Sequence, residues 1–209
     1  KILRRLLAGE TCALVSGAGS PAISDPGEAL VAQCAAAGVP VCAIPGPCAV
    51  ITALGVSGLP TGRFTFEGFL STNRKSRREH LDSLREEVRT MVFYEAPHKL
   101  SATLEDMAAV FGGDRRISLC RELTKLHEEI VRTTLAEAIA HCEAVPPRGE
   151  YVLVVVGAAP KAAQSVTLEE ALELMQTLMD RGLSRKDAAR EAAAQTGFSK
   201  NTLYAASME

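Results

Sequence analysis

The chain has 209 residues, of which 47% are hydrophobic, enough to fill the core of one large domain or two small ones. Its formal net charge of −2 argues against a surface that coats nucleic acid generally, so any RNA or DNA contact must use local basic patches. The longest apolar stretch of the C-terminal half, residues 151–159, is far shorter than the roughly 20 residues of a membrane-spanning helix. We therefore expect no membrane segment.

The cysteines and histidines bear on redox compartment and metal binding. The six cysteines include no C-x-x-C pair and lie mostly in apolar runs, which predicts reduced, buried thiols in a cytoplasmic protein. The four histidines form neither H-E-x-x-H nor any Cys/His ligand spacing. No metal site is expected.

Strand and helix patterns alternate over the first 60 residues, after a short amphipathic helix at the start of the chain. The predicted elements are strand 11–16, helix 26–37, strand 39–44 and helix 47–56. Such alternation indicates a parallel sheet whose ligands lie beyond the carboxyl ends of its strands. Two turns rich in glycine and proline, 16–25 and 45–49, fall at such ends.

A turn-rich boundary at 57–64 separates this pattern from a second α/β unit. Its predicted elements are strand 64–69, a basic helix 73–87, strand 89–95, helix 97–111, strand 115–121, strand 128–134, helix 135–144 and strand 150–157. A linker at 158–165 then leads to three helices, 168–181, 184–195 and 199–207, in a helix-turn-helix-like order. The predicted domains are 1–60, 61–159 and 160–209.

The first glycine turn matches the spacing of a dinucleotide-binding motif, since Gly17, Gly19 and Ala22 fit G-x-G-x-x-G/A. However, Pro21 lies inside the motif, and the best helix start, Asp25-Pro26, comes several residues later. The next strand also ends without the carboxylate that would hold a ribose. The dinucleotide interpretation is rejected, and an ordinary structural turn stays open.

Five stretches, in this order, carry a family resemblance: "SGAGSPAISDPG", "IPGPCAVITAL", "FEGFL", "FYEAPHKL" and "CRELTKLHEEIVR". With them the chain resembles the tetrapyrrole methylase superfamily over essentially its whole length. Within it, the chain is most similar to the branch that methylates a cytidine ribose 2′-hydroxyl in the 16S rRNA of the small ribosomal subunit. The resemblance implies two α/β domains with S-adenosylmethionine (SAM) in the cleft between them, a small C-terminal helical appendage and a homodimer. The family's first strand and its own SAM turn would precede Lys1, so we expect an N-terminal truncation.

The resemblance also implies which residues line the cofactor site. They are Ala18, Gly19, Ser20, Ile23, Gly46, Cys48, Ala49, Glu95 and Leu123. SAM offers a carboxylate and two ribose hydroxyls to backbone donors, and a flat adenine to an apolar slot. One position departs from the family pattern D-A-G-T-P, because Gly17 stands where the family has an aspartate.

Methyl transfer from a sulfonium is an in-line displacement that depends mainly on positioning, with a base to take the hydroxyl proton. The candidate catalytic residues follow two strand ends: Glu95, His98, Arg121, Glu122 and Lys125. Without the family, Glu95 would be taken as a helix cap before Pro97, and Arg121 with Glu122 as a surface ion pair. A third possibility is that Glu95 attracts the sulfonium by its charge.

Two basic segments are candidates for RNA contact. The first is a loop and helix start that carries Arg74, Lys75, Arg77 and Arg78, residue types that suit phosphates, although a solvated charged face is the alternative. The second is the tail, whose basic residues are Arg185, Lys186, Arg190 and Lys200. The tail could instead be only a packed cap.

Two other functions stay open. One is methylation of a corrin or porphyrin precursor on the same fold. The other is a nucleic-acid-binding helix-turn-helix module, against which the balance of acidic and basic residues in 168–209 argues.

Overall fold

The structure is a computed structural model that describes residues 1–159 and 167–208. The chain divides into two units, Lys1–Ala158 and Ala159–Glu209. Most of the predicted linker, residues 160–165, lies outside the described residues. The predicted domain boundary at residue 60 stays a prediction.

The N-terminal part contains three helices, α1 (Ile2–Leu7), α2 (Glu28–Ala36) and α3 (Ala49–Val56). The strands predicted at 11–16 and 39–44 were wrong, because neither segment forms a hydrogen-bonded ladder within the described residues. A strand needs a neighbour to satisfy its N–H and C=O groups, and an apolar run alone does not supply one. Val15 and Ile44 are accordingly 81% and 86% exposed.

The ends of α2 show one wrong and one correct prediction. The helix begins at Glu28 after Gly27, whose φ is +147°, and not at Asp25-Pro26. It ends as predicted before Gly38, whose φ of +69° closes a Schellman motif in which the Val39 N–H donates to the Cys34 carbonyl.

All five predicted strands of the second unit form, each within two residues of its expected ends. They are β1 (Phe64–Phe69), β2 (Thr90–Glu95), β3 (Arg116–Arg121), β4 (Glu129–Thr134) and β5 (Tyr151–Val155). Their order in the sheet is β1-β2-β5-β3-β4. β1 pairs with β2 in parallel, and the other pairs are antiparallel. Since β2 and β3 both run antiparallel to β5, their carboxyl ends lie at the same edge of the sheet.

Helices cover both faces of this sheet, as the alternation of its side chains requires. One face packs against α4 (Arg74–Ser83), α5 (Leu100–Phe111) and α6 (Leu135–Ala144) and includes Phe93 and Leu119. The other face packs against α3 and includes Val92, Cys120 and Val154. A 3₁₀ turn, Pro97–Lys99, joins β2 to α5. The helix predicted at 73–87 is shorter, ending at Ser83.

The C-terminal unit consists of α7 (Leu168–Asp180), α8 (Arg185–Thr196) and α9 (Lys200–Ala206). The predicted N-caps are confirmed: the Ser184 and Ser199 hydroxyls accept hydrogen bonds from the backbone N–H groups of Asp187 and Thr202. Its apolar core comprises Ala171, Met175, Leu178, Ala188, Ala189, Ala192 and Leu203. In the part of the chain that is described, no helix is long and apolar enough to span a bilayer.

Candidate functional site

The two glycine turns meet although the segments before them are not strands. The Ser20 N–H donates to the Pro47 carbonyl at 2.9 Å, and the Ser20 hydroxyl lies 3.2 Å from the same oxygen. Gly19 has a φ of +74°, and a Cβ on it would lie 2.9 Å from that oxygen. The Ser16 hydroxyl donates to the Gly19 carbonyl at 2.7 Å. The turns 16–25 and 45–49 therefore form one backbone-rich surface, which we call the double turn.

An apolar wall continues from the double turn towards the sheet. Cys48, Tyr94 and Leu123 are partly buried against the same cluster as the side chains of α3. Burial and the neighbouring Cys48 thiol raise the pKa of the Tyr94 hydroxyl, against a hydrogen bond with the Val50 backbone that lowers it. Tyr94 was missed by the sequence reasoning. Alternation along β2 was the available signal, because it places Tyr94 on the α3 face with Val92.

Glu95 lies on the opposite face of the sheet from Tyr94. Its buried carboxylate accepts hydrogen bonds from the Thr103 hydroxyl at 2.7 Å and the Ala96 N–H at 2.8 Å. The Lys99 ammonium lies 3.0 Å from Oε1. The expectation that Glu95 faces the cofactor turns disagrees with this placement, since strand alternation turns its side chain towards α5. The capping alternative is not matched either, because neither the 3₁₀ turn nor α5 begins with a side-chain cap hydrogen bond.

The residues after β3 lie at the same sheet edge as Glu95. Tyr151 is in register with Glu95 on one side and Arg121 on the other. The alternative of a surface ion pair between Arg121 and Glu122 is wrong, because Arg121 pairs with a different carboxylate. Its guanidinium donates to Glu129 at 3.0 Å.

Glu122 instead binds Lys125 at 3.1 Å and the Glu150 N–H at 2.9 Å. These hydrogen bonds, that from Glu150 first, hold the pKa of Glu122 below its ordinary value. Hydrogen bonds to Glu150 and Glu122 raise the pKa of Lys125. Both groups are thus stabilised in their charged forms.

His98 differs from the other four candidate catalytic residues. It is exposed in the 3₁₀ turn after β2, and within residues 1–159 and 167–208 no hydrogen bond or ion pair engages its ring. The other predicted cofactor residues are also accessible: Ala18, Ile23, Gly46 and Ala49 are exposed.

Three of the four predicted RNA-binding residues converge on Asp106 of α5. The Asp106 carboxylate is 1% exposed. It accepts hydrogen bonds from Arg77 at 2.7 and 2.9 Å and from Arg78 at 2.8 Å, with Arg74 at 3.4 Å. Desolvation acts to raise the pKa of Asp106, but the bonds from Arg78 and Arg77 outweigh it and hold the pKa below its ordinary value.

The four basic side chains differ in access. Arg77 is 8% exposed, so burial withholds it from direct contact with a phosphate. Arg74 and Arg78 are 66% and 46% exposed, and Lys75, 85% exposed, lies 3.9 Å from Glu79. Two carboxylates, Asp106 and Glu79, thus face four basic side chains, which leaves an excess of positive charge in this cluster.

A cavity of about 290 Å³ lies at the other edge of the sheet, where β3 begins and β4 ends. Its lining includes Ser57, Leu59, Arg116, Arg132 and Thr134, none of which is a predicted site residue. Among the described residues no group of histidine, cysteine and carboxylate side chains has the arrangement of a metal site.

The chain has a mixed sheet covered by helices, and one of its two glycine turns leads directly into α3. This architecture is typical of α/β enzymes that bind small molecules with backbone-rich loops. A family model described as Tetrapyrrole (Corrin/Porphyrin) Methylases matches residues 1–139. The chain belongs to this family. A second model, described as RsmI C-terminal HTH domain, matches residues 166–209.

Named relatives match nearly the whole chain. A protein of Synechocystis named "Ribosomal RNA small subunit methyltransferase I" is 46% identical over 209 residues, covering 100% of this chain and 75% of the relative. Proteins of the same name from Pseudomonas aeruginosa and Mycobacterium tuberculosis are also 46% identical, covering 98% and 96% of this chain and 73% and 69% of the relatives.

The solved structures support the fold. One titled "Crystal structure of the methyltransferase CobJ" superposes with a TM-score of 0.56 at 24% identity and covers 75% of this chain and 69% of that one. The predicted fold class, α/β of the tetrapyrrole methylase type with a C-terminal helical appendage, is confirmed.

Proposed function

We propose that the protein is a SAM-dependent methyltransferase of the ribose 2′-hydroxyl of a cytidine in 16S rRNA of the small ribosomal subunit. The observation that carries this proposal is the match to relatives named for small-subunit rRNA methylation over 96–100% of the chain. The match of residues 166–209 to the C-terminal domain model supports it independently.

The double turn and its apolar wall suit SAM. Exposed backbone at Ala18, Gly19 and Gly46 offers N–H groups to a carboxylate and ribose hydroxyls, and the lack of a side chain at the two glycines permits close approach. Cys48, Tyr94 and Leu123 provide an apolar surface for a purine ring. SAM, when bound, supplies the methyl group on its sulfonium.

The chain's own residues would position the reactants and receive one proton. As the 2′-oxygen forms its bond to the methyl carbon, its acidified proton needs an acceptor. Glu95, Arg121, Glu122 and Lys125 are each held in an ion pair. Among the five, His98 is the one whose exposed ring no hydrogen bond or ion pair of the described residues engages, so we assign it as the acceptor and the ion-paired residues as supports for the strand ends.

The exposed members of the basic cluster would bind the substrate backbone. Arg74, Lys75 and Arg78 offer charges to phosphates, while the buried Arg77 positions its neighbours through Asp106. We also propose that the protein acts in the cytoplasm, where ribosomal subunits are, and as a homodimer, which light scattering on the purified protein would test.

The two other functions lack a specific supporting observation. The likeness to the solved methyltransferase CobJ is at 24% identity and concerns the fold. A helix-turn-helix module acting alone would leave the double turn without a ligand.

The test of the proposed function uses purified protein, SAM with a labelled methyl group, and three acceptors: small ribosomal subunits from cells lacking the enzyme, a porphyrin precursor and duplex DNA. We expect calorimetric binding of SAM and label in 16S rRNA only, located at a cytidine ribose. Absence of SAM binding at high protein concentration, or label in the porphyrin precursor, would reject the proposal.

The role of His98 gives a separate prediction. His98→Ala should lower kcat by roughly 100-fold or more, the usual range for loss of a general base. SAM affinity and melting temperature should stay unchanged, because no described residue forms a hydrogen bond or ion pair with the ring. The matched control is His127→Ala, an exposed histidine in the loop after β3. A His98→Ala enzyme with the wild-type pH–rate profile would exclude His98 as the base.

A further inference from the structure

Phe69, at the end of β1, is a large aromatic side chain that the fold leaves 56% exposed. The register of β1 against β2 shifts between Phe66 and Gly68, which pairs Phe69 with Tyr94. Gly68 has a φ of +66° at this bulge. Because a bulge moves every later side chain to the other face, Phe69 lies on the same face as Phe66 and Tyr94. Without the bulge it would turn away from them.

The three rings form a short row with Tyr94 in the middle. Phe66 contacts Tyr94 with ring centroids 5.0 Å apart, and Phe69 contacts Tyr94 at 5.5 Å. Tyr94 itself packs in the cluster that includes Cys48. Phe69 is the exposed end of this row, so it connects the proposed cofactor surface to solvent at the carboxyl ends of β1 and β2.

The loop that follows Phe69, residues 70–73, is held by two buried ion pairs. Lys99, paired with Glu95, donates to the Leu70 carbonyl at 3.3 Å and lies 5.7 Å from the centre of the Phe69 ring. Arg77, paired with Asp106, donates to the Ser71 carbonyl at 3.3 Å. Both carboxylates are nearly fully buried.

Buried ion pairs contribute little net stability compared with apolar packing, because desolvation offsets their attraction. Here each pair uses its remaining N–H groups to fix a loop between an exposed ring and an exposed pair of guanidiniums, Arg74 and Arg78. A rigid aromatic face beside arginines is the arrangement by which proteins bind unpaired nucleotides: bases stack on the ring and phosphates meet the cations.

We propose that Phe69 is a stacking platform for a nucleobase of the single-stranded rRNA segment that carries the methylated ribose, with Arg74 and Arg78 binding the adjoining phosphates. The proposal rests on the proposed function, whose substrate is that RNA. Glu95 and Asp106 act as positioning residues, since they reach the RNA only through Lys99, Arg77 and the loop 70–73.

The chain contains no tryptophan, so a Phe69→Trp variant carries a single indole reporter at the platform. We expect a cytidine oligonucleotide to quench its emission, because a base stacked on the indole provides a direct quenching path. The matched control is Val88→Trp, an equally exposed position (57%) before β2, at the opposite edge of the sheet. The control should not respond.

Activity on small ribosomal subunits separates stacking from a structural role. Phe69→Leu keeps an apolar side chain without a π face, and it should raise KM on the order of 10-fold or more while SAM affinity and the salt dependence of RNA binding stay unchanged. Phe69→Tyr should restore the wild-type KM. Suppose that the wild-type protein transfers the methyl group. If the emission of Phe69→Trp is then not quenched, or the KM of Phe69→Leu is unchanged, the stacking proposal is overturned and the proposed function stands. Absence of methyl transfer by the wild-type protein would instead reject the proposed function.

Discussion

Gly19 and Gly17 stand two residues apart in the same turn but meet different constraints. Gly19 has a positive φ and faces the Pro47 carbonyl. Nothing lies within 4 Å of a Cβ built on Gly17, and its φ is outside the left-handed region that favours glycine. Gly19 is therefore required for the two turns to meet. The positive φ of Gly19 allows the two backbones to approach each other, and the ligand site depends on that approach.

We expect Gly19→Val to destabilise the protein by roughly 1–3 kcal/mol, in line with other strained backbone positions, and to abolish SAM binding because the double turn opens. Gly17→Val is the matched control and should change neither property by more than the error of measurement. Melting temperature and calorimetric SAM affinity, measured on the same samples, decide the matter. A Gly19→Val protein that binds SAM with wild-type affinity per folded molecule would show that the turn is only structural.

Some features of the candidate site could be predicted from the sequence and others could not. Glycines, prolines and a serine after apolar runs indicate loops, and the sequence placed both turns at the carboxyl ends of two strands. The turns do meet, through Ser20 and Pro47, although those two strands do not form within the described residues. Glu95 and Tyr94 were not distinguished, although neighbours on a strand face opposite ways. The burial of Arg77 could not be predicted from the sequence, because its partner Asp106 is 29 residues away along the chain and on another helix.

At the scale of elements, α4 and α5 are joined by the ion cluster as well as by their apolar side chains. Arg77 and Asp106 are both buried, and each satisfies the charge of the other. Removing the charge of Asp106 would leave the Arg77 guanidinium buried without a counter-ion, a change that destabilises strongly.

We expect Asp106→Asn to lower the free energy of unfolding by about 3–5 kcal/mol, measured by urea denaturation. Asp82→Asn, on α4, breaks an exposed pair with Arg85, which lies just after that helix, and should change stability by at most roughly 1 kcal/mol. Equal effects of the two variants would mean that burial of the Asp106 cluster has no energetic consequence.

The pH dependence of this difference follows from the direction of the shift. The pKa of Asp106 is lower in the folded protein than its ordinary value. Its contribution is thus fully present above the ordinary pKa and is lost as the pH falls through the folded one. The stability difference between wild type and Asp106→Asn should be constant from about pH 8 to pH 5 and shrink only in stronger acid.

The elements that were predicted correctly and those that were not differ in a physical respect. β1 to β5 combine apolar runs with pairing partners inside the second unit, so local pattern and long-range pairing agree. The runs at 11–16 and 39–44 have the same local pattern but no ladder within the described residues. Period and composition identify a segment able to form a strand, and only the location of its neighbour decides whether it does.

At the scale of the whole molecule, the acidic and basic residues of the C-terminal unit are distributed unevenly over its helices. Four of its acidic residues lie on α7: Glu169, Glu170, Glu173 and Asp180. Lys186 of α8 and Lys200 of α9 line a cavity of about 200 Å³ together with Asn201 and Tyr204. Asp187 and Glu191 also lie on α8, where Asp187 pairs with Arg190, but the four basic residues of α8 and α9 outnumber them. A nearly balanced total charge therefore still allows a local excess of basic residues on these two helices.

If both units bind the same RNA, their phosphate contacts add in the salt dependence of affinity, since each contact releases counterions independently. Changing Lys186 and Lys200 together to Gln should reduce the slope of log affinity against log salt concentration by about 1.4, and changing Arg74, Lys75 and Arg78 by about 2. All five changes together should give the sum, with SAM affinity unaltered. The control pair is Arg4→Gln with Arg5→Gln on α1, where Arg5 already binds Glu10. A wild-type slope in the double lysine variant would identify the C-terminal unit as a packed cap that makes no contact with phosphates.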